Sequence, residues 1–300
     1  MSRPELTNVG SRPQAYGPAE WGLTFVVGFI WGSAFLWIAL GVEHLDPGVV
    51  SFARVALGAA ALAAFPRARR AIAREDWPRL AVVAIIGNAG PAVLFSIAET
   101  ELDSAVAGMI TAGTPLLSLV IASLILRQLP RSAQVIGITL GLVGTLMMAL
   151  PSLAGAHAAP LGVVLVLIAT VCYATNSNII VPLQQKYGGP AVMLWALTGS
   201  SVLLAPYGFL TIGDSEFKAS SVLAVLILGV LGTGIVRALS TTLAGRVGGP
   251  RMTTTTYLIP IVAIVLGVVF LDEVVAPIAV VGVGLTLLGA YWASRALRPS

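Results

Sequence analysis

Residues 115–146 read PLLSLVIASLILRQLPRSAQVIGITLGLVGTL, and residues 260–291 read PIVAIVLGVVFLDEVVAPIAVVGVGLTLLGAY. Laid over one another at an offset of 145, the two segments agree at eight of 32 positions. Five of the agreements are apolar: Val120 with Val265, Leu126 with Leu271, Val135 with Val280, Leu140 with Leu285 and Leu142 with Leu287. Such matches arise often by chance in greasy sequence. The other three carry more weight: Pro115 falls on Pro260, Gly137 on Gly282 and Gly144 on Gly289, and these residue types break helices or admit close backbone approach. An offset of 142 brings Trp31 onto Tyr173, and one of 143 brings Pro47 onto Pro190, so the repetition reaches back through both halves of the chain.

The solvent of these repeats follows from composition. Hydrophobic residues make up 57% of the 300 and charged residues 10%, against about 25% charged in a soluble domain. Mean hydropathy is +0.94. The chain is predicted to live in a bilayer. Spanning one takes roughly 20 apolar residues per helix. Ten runs approach that length, near 22–41, 48–66, 80–98, 104–126, 133–150, 161–182, 191–212, 219–244, 252–271 and 276–294.

Basic residues collect on the cytoplasmic side of membrane proteins. With the N-terminus inside, Arg3, Arg12, Arg67, Arg69, Arg70, Arg74, Arg79, Arg127, Arg131, Lys186, Arg246, Arg251, Arg295 and Arg298 fall inside, and Lys218 alone falls outside. The loop acids Glu43, Asp46, Glu101, Asp103, Asp214, Glu216, Asp272 and Glu273 all fall on the outer side. Each half holds five helices, an odd number, so the second half enters the membrane from the opposite face. The predicted fold is all-α: ten transmembrane helices as two inverted five-helix repeats around a central cavity. Residues 1–20 form a cytoplasmic tail, 21–150 repeat one, 151–295 repeat two and 296–300 a second cytoplasmic tail. Inverted repeats are the common construction of secondary transporters, with the solute site near the midplane.

Several residues are candidates to line such a site. Pro115 and Pro260 lie mid-helix in helices four and nine, and each frees the carbonyl four residues earlier, at Thr111 and Thr256. Freed carbonyls in hydrocarbon must face protein or a wet cavity; the alternative is a simple bend with each threonine bonded to its own helix. Helix six carries YATNSN, which places Tyr173, Asn176 and Ser177 on one face with Asn178 beside them. Its repeat partner is WGSA, so Trp31 stands opposite Tyr173, either as packing or as a sandwich for a planar solute. Asn88 and Pro91 in helix three and Tyr257 in the TTTTY run add lining and a further hinge.

Two arginines sit within spans. Arg54, about two turns from the outer end of helix two, is assigned a structural role, snorkelling outward or bonding carbonyls of a neighbouring helix. Arg237 lies deeper in helix eight after GTG, and no acidic residue stands in the middle of any span to neutralise it. It either snorkels inward or awaits a solute carboxylate. Cys172 is a lone cysteine in an apolar run, and His44 and His157 are isolated, so no metal cluster is expected. With no His or acid at mid-depth in the spans, catalysis is not expected either.

WGSAF, PGVVSFARVALGAAAL, AETELDSAVAGMITAGTPLLSL and GITLGLVGTLMM resemble the first EamA domain of the drug/metabolite transporter superfamily. The stretch GTGIVRALSTTLAGRVGGPRMTTTTYLIPIVAIVLGVVFLDEVV with GVGLTLLGA resembles the second. The resemblance implies both termini cytoplasmic and a cavity lined mainly by helices one, three, four, six, eight and nine. It also implies a carrier similar to bacterial aromatic amino-acid exporters, in the inner (plasma) membrane. Related members move drugs, nucleotide sugars and sugar phosphates. Arg54 matches an arginine common in helix two of the family, and Glu273 its glutamate after the fourth helix of a domain. Gln128 replaces that glutamate in the first half, Arg237 stands where an apolar or aromatic residue is expected, and helix one lacks the carboxylate of the small multidrug relatives. Glu99 and Glu101 are placed at the solvated outer edge of helix three.

The expected partners are a small-molecule solute and the lipid bilayer, with no nucleic acid and no cofactor. A membrane receptor or scaffold, and a facilitator of drugs, nucleosides or phosphorylated metabolites, are the alternative functions. Phosphorylated solutes are disfavoured because only one deep arginine is visible. Oligomeric state is left open, since the glycines of helices five and ten suit contacts between or within molecules.

Overall fold

Most helices of this chain begin with proline in the first turn, where the missing N–H costs nothing and the fixed φ favours helix. This holds for α1 (Pro18–Val42), α2 (Pro47–Ala63), α3 (Trp77–Ala84), α4 (Gly90–Ala98), α8 (Pro160–Ile179), α9 (Val181–Tyr187), α10 (Gly189–Leu210) and α13 (Ile259–Phe270). Asp46 caps α2 by accepting the Gly48 N–H at 2.7 Å. The remaining helices are α5 (Ser104–Thr111), α6 (Thr114–Leu126), α7 (Ser132–Leu153), α11 (Ala219–Ile227), α12 (Val236–Val247) and α14 (Pro277–Arg295). The computed structural model describes residues 17–126, 132–153, 159–247 and 253–295. The expected features at Arg127, Gln128, His157 and the two terminal tails lie wholly or largely outside these residues.

Among the described residues, seven helical stretches are long and apolar enough to cross a bilayer: Pro18–Val42, Arg74–Ala98, Ser104–Ile121, Val135–Leu153, Pro160–Ile179, Gly189–Leu210 and Ala219–Leu243. Shorter apolar helices occupy Pro47–Ala63, Thr255–Phe270 and Pro277–Gly289, at the positions expected for helices two, nine and ten. Helix nine is short as an α-helix because it opens with a 3-10 stretch, Thr253–Tyr257, which rises about 2.0 Å per residue. The outward surface is greasy: Leu124, Leu146, Val202, Leu210, Val269 and Phe270 are all exposed, as suits lipid rather than water.

Local irregularities in four helices shape the interior. Helix three passes through a π turn at Ile85–Ala89 between α3 and α4, and helix eight through another at Leu228–Ile235 between α11 and α12. The two begin 143 positions apart, in step with the sequence repeat. Helices four and nine are each broken before their proline, so that Pro115 and Pro260 lie in the first turn of α6 and α13 instead of mid-helix. The carbonyl of Thr111 that Pro115 cannot bond accepts the Thr114 hydroxyl at 2.6 Å.

Glycine sets the closest helix crossings. A Cβ on Gly144 would lie 2.5 Å from the Gly282 carbonyl oxygen, and one on Gly289 would lie 2.4 Å from that of Gly137. These contacts run α7 and α14 antiparallel, backbone against backbone. The offset of 145 exchanges one contact for the other. The glycines expected in helices five and ten are thus used within the molecule. Elsewhere α5 meets α13 where Gly108 faces Ala263. There the Glu273 carboxylate accepts the N–H groups of Ser104 (2.7 Å) and Ala105 (2.9 Å), capping α5.

Two apolar cores result. One gathers Phe35, Ile38, Phe95, Met109 and Ala263 from α1, α4, α5 and α13. The other gathers Val55, Val83, Leu183, Met193 and Leu197 from α2, α3, α9 and α10. A cavity lies between them.

Candidate functional site

The cavity measures about 120 Å³, room for on the order of ten water-sized positions. Of the candidate residues it brings together Trp31, Thr111, Tyr173, Asn176, Arg237 and Thr256, with Ser177 beside them. Apolar lining comes from Phe35, Ile38, Phe95, Met193 and Ile259. Unforeseen polar lining comes from Arg54, Thr114, Ser240 and Thr241.

Arg237 is buried, and its guanidinium is held on two sides. Nη1 donates to the Gly87 carbonyl at 2.8 Å, and Nη2 donates to the Tyr173 hydroxyl at 2.8 Å. The cation also lies 5.0 Å from the Tyr173 ring centroid. Gly87 stands in the first π turn, where the loosened ladder turns a carbonyl to this use. Glycine is required there, because a Cβ would come within 2.5 Å of the Asn176 side chain. Of the two readings of Arg237, inward snorkelling does not occur: the side chain stays buried and lines the cavity.

Arg54 is held inside the molecule by a route other than those expected. It does not reach the outer edge or bond helix-end carbonyls. It is 4% exposed, lines the cavity, and donates Nε to the Thr233 hydroxyl at 3.3 Å. Thr233 belongs to the second π turn. The reading that only one deep arginine faces the site therefore gives way to two. Glu99 departs as well: Glu101 is solvated, but Glu99 is 8% exposed, packed under the end of α4 within electrostatic reach of Arg54. A helix-end position in the sequence does not reveal which face turns inward. Among the described residues, the ion pairs within bonding range are His44–Glu43, Lys186 with Glu75 and Asp76, and Lys218–Glu216, all toward loop regions.

The other candidates serve the walls. Asn88 donates Nδ2 to the Val83 carbonyl at 3.1 Å, satisfying the π turn it sits in, and does not line the cavity. Asn178 donates to the Ala174 carbonyl (2.9 Å) and to the Ser118 hydroxyl (3.1 Å), tying α8 to α6 outside the cavity. Tyr257 packs on Leu116, as do Leu119 and Ile138. Pro91 starts α4 directly after the π turn. The Thr111 hydroxyl donates to its own helix at Ala107 (2.8 Å) while the residue still lines the cavity, so both readings of it hold. A flat sandwich between Trp31 and Tyr173 does not form, because Phe95 stacks on Tyr173 at 5.8 Å and Arg237 covers it too.

The comparisons agree with this architecture. The EamA-like transporter family matches residues 21–150 and 160–295. A probable terminal-alkyne amino-acid exporter of Streptantibioticus cattleyicolor is 28% identical over 281 residues, covering 92% of this chain and 93% of its own length. A probable amino-acid metabolite efflux pump of Salmonella typhimurium is 24% identical over 285 residues, covering 90% and 92%. A crystal structure of a protein 18% identical superposes with a TM-score of 0.68 over 94% of this chain and 99% of that one, a likeness of fold. Two family matches spanning most of the chain, around a membrane-embedded cavity with buried cations, identify it: the chain belongs to the EamA-like transporter family and is a membrane transporter, not an enzyme.

Proposed function

We propose that this transporter exports small amino acids with neutral or aromatic side chains, holding the solute carboxylate at Arg237. The observation that carries the reading is a deep, fixed guanidinium in a cavity whose lining includes no carboxylate. Asn176 and the threonine hydroxyls offer acceptors for an ammonium group, and Phe35, Phe95 and Trp31 offer apolar surface. The exporter names of the two relatives described above point to the same solute class. The working architecture is ten spans in two inverted repeats, 21–150 and 151–295, rocking about the midplane of a bacterial inner membrane with both termini cytoplasmic. The exchanging glycine contacts and the paired π turns support the repeat, and the basic inner loops support the orientation.

Counterflow into proteoliposomes preloaded with neutral amino acids tests the solute. Saturable uptake is expected. Arg237→Gln leaves the solute carboxylate unpaired and raises half-saturation by at least roughly thirty-fold, since truncating a buried charged partner costs about 2–5 kcal/mol. Uptake no greater than in empty liposomes for every amino acid refutes the reading.

A further inference from the structure

The two cations of the cavity are not equally provided for. Arg237 is strapped to Gly87 and Tyr173, whereas Arg54 has a single long bond to Thr233. Arg54 Nη1 is sealed from water with no hydrogen-bond partner, although its residue lines the cavity. A guanidinium cannot shed its proton, so at this depth it needs a counter-charge. The acid that acts on it is Glu99, whose two carboxylate oxygens are buried, with the Ala39 backbone beside them. No direct ion pair joins the two among the described residues. With Glu99 ionised the group Arg54, Arg237 and Glu99 carries one net positive charge, which one solute carboxylate matches. With Glu99 protonated it carries two.

We propose that Arg54 is a second anion-binding subsite, which takes the second acidic group of a doubly acidic solute when Glu99 carries a proton. This rests on the preceding reading that a solute carboxylate enters the cavity. Two carboxylates competing for one buried guanidinium repel each other. The arriving anion therefore replaces Glu99 as the counter-charge, and a proton from water adds to a Glu99 carboxylate oxygen. No covalent bond to the solute forms or breaks. The groups facing this exchange are few. Glu273 acts on Glu99 from beyond α13 but is held by two backbone amides, and the Ala39 backbone acts on it from α1. Tyr173 and Arg237 act on Arg54 from α8 and α12. Glu101 and Asp103, next along the chain, are exposed.

The test compares glutamate with glutamine by calorimetry on the purified full chain in lipid nanodiscs, between about pH 6 and 8, where glutamate's own side chain (ordinary pKa about 4.3) stays ionised. Glutamine affinity should stay flat. Glutamate affinity should rise as pH falls, approaching tenfold per unit for one proton taken up. Glu99→Gln should bind glutamate tightly at every pH, and Arg54→Gln should abolish the rise of glutamate affinity relative to glutamine as pH falls. Glutamine binding accompanied by absent or pH-independent glutamate binding in the unaltered protein overturns the proposal, whether or not the Arg54 variant folds. If neither amino acid binds, the amino-acid reading fails, and succinate against its monoamide decides the Arg54 subsite by the same slope.

Discussion

The crossing of α5 and α13 offers a direct measurement of how closely two cavity-lining helices pack. A Cβ built on Gly108 lies 2.3 Å from the Cβ of Ala263, where ordinary contacts begin at 3.4 Å. Gly108→Ala must therefore push the two helices apart by about 1 Å, and overpacking of this kind costs roughly 1–3 kcal/mol. Alanine also favours helix over glycine by about 1 kcal/mol, which blurs the single variant. A double-mutant cycle with Ala263→Gly removes that ambiguity, because the propensity terms cancel and the steric term remains. The expected coupling is favourable by about 1–3 kcal/mol: Gly108→Ala destabilises beside Ala263 and stabilises beside Gly at that position. Reversible unfolding of the purified chain in mixed micelles reads stability. Counterflow rate reads function, since Thr111 and Ile259 of the same helices line the cavity. The single variant should slow counterflow several-fold and the double variant should restore it. Coupling within experimental error of zero would show that the helices do not touch here, and the close crossing of α5 and α13 would fall with it.

Two further outcomes follow from the same geometry. Glu273→Ala should cost about 1–3 kcal/mol by orphaning the Ser104 and Ala105 amides, with Glu273→Gln intermediate, because its amide oxygen still accepts; unchanged hydrogen exchange at those two amides would contradict the cap. Gly144→Leu and Gly289→Leu should lower thermal stability by matching amounts, because their contacts with Gly282 and Gly137 exchange under the repeat; a loss confined to one of them would break the equivalence.

Much of this was legible in the sequence because membrane folds are written in long, coarse signals. Apolar run length, arginine placement and repeated Pro and Gly survive without knowledge of side-chain direction. Trp31, Tyr173, Asn176 and Arg237 were found because polar or aromatic groups at depth stand out against leucine and valine. The π turns were not legible, since a shift from i→i+4 to i→i+5 bonding leaves no distinct composition. They determine whether Asn88 faces the cavity or its own backbone. Glu99 was misread because it lies at a helix end, where a long side chain has both water and protein within reach and only the packed neighbours decide; Arg54, midway along α2, was expected to leave the interior and instead lines the cavity.

Those neighbours also explain why the two arginines sit where they do. Arg237, from the second half of the chain, donates into the π turn of the first half at Gly87; Arg54, from the first half, donates into the π turn of the second at Thr233. Each cation thus ties the irregular backbone of the opposite half, and each residue lines the cavity. A buried donor left without an acceptor is costly, so the groups that hold the halves together are the ones a solute anion must engage. Substituting either arginine accordingly alters stability and solute affinity at once. The two effects separate only when unfolding and binding are measured on the same variant: a loss of affinity that exceeds the loss of stability belongs to the solute, and parallel losses belong to the strap.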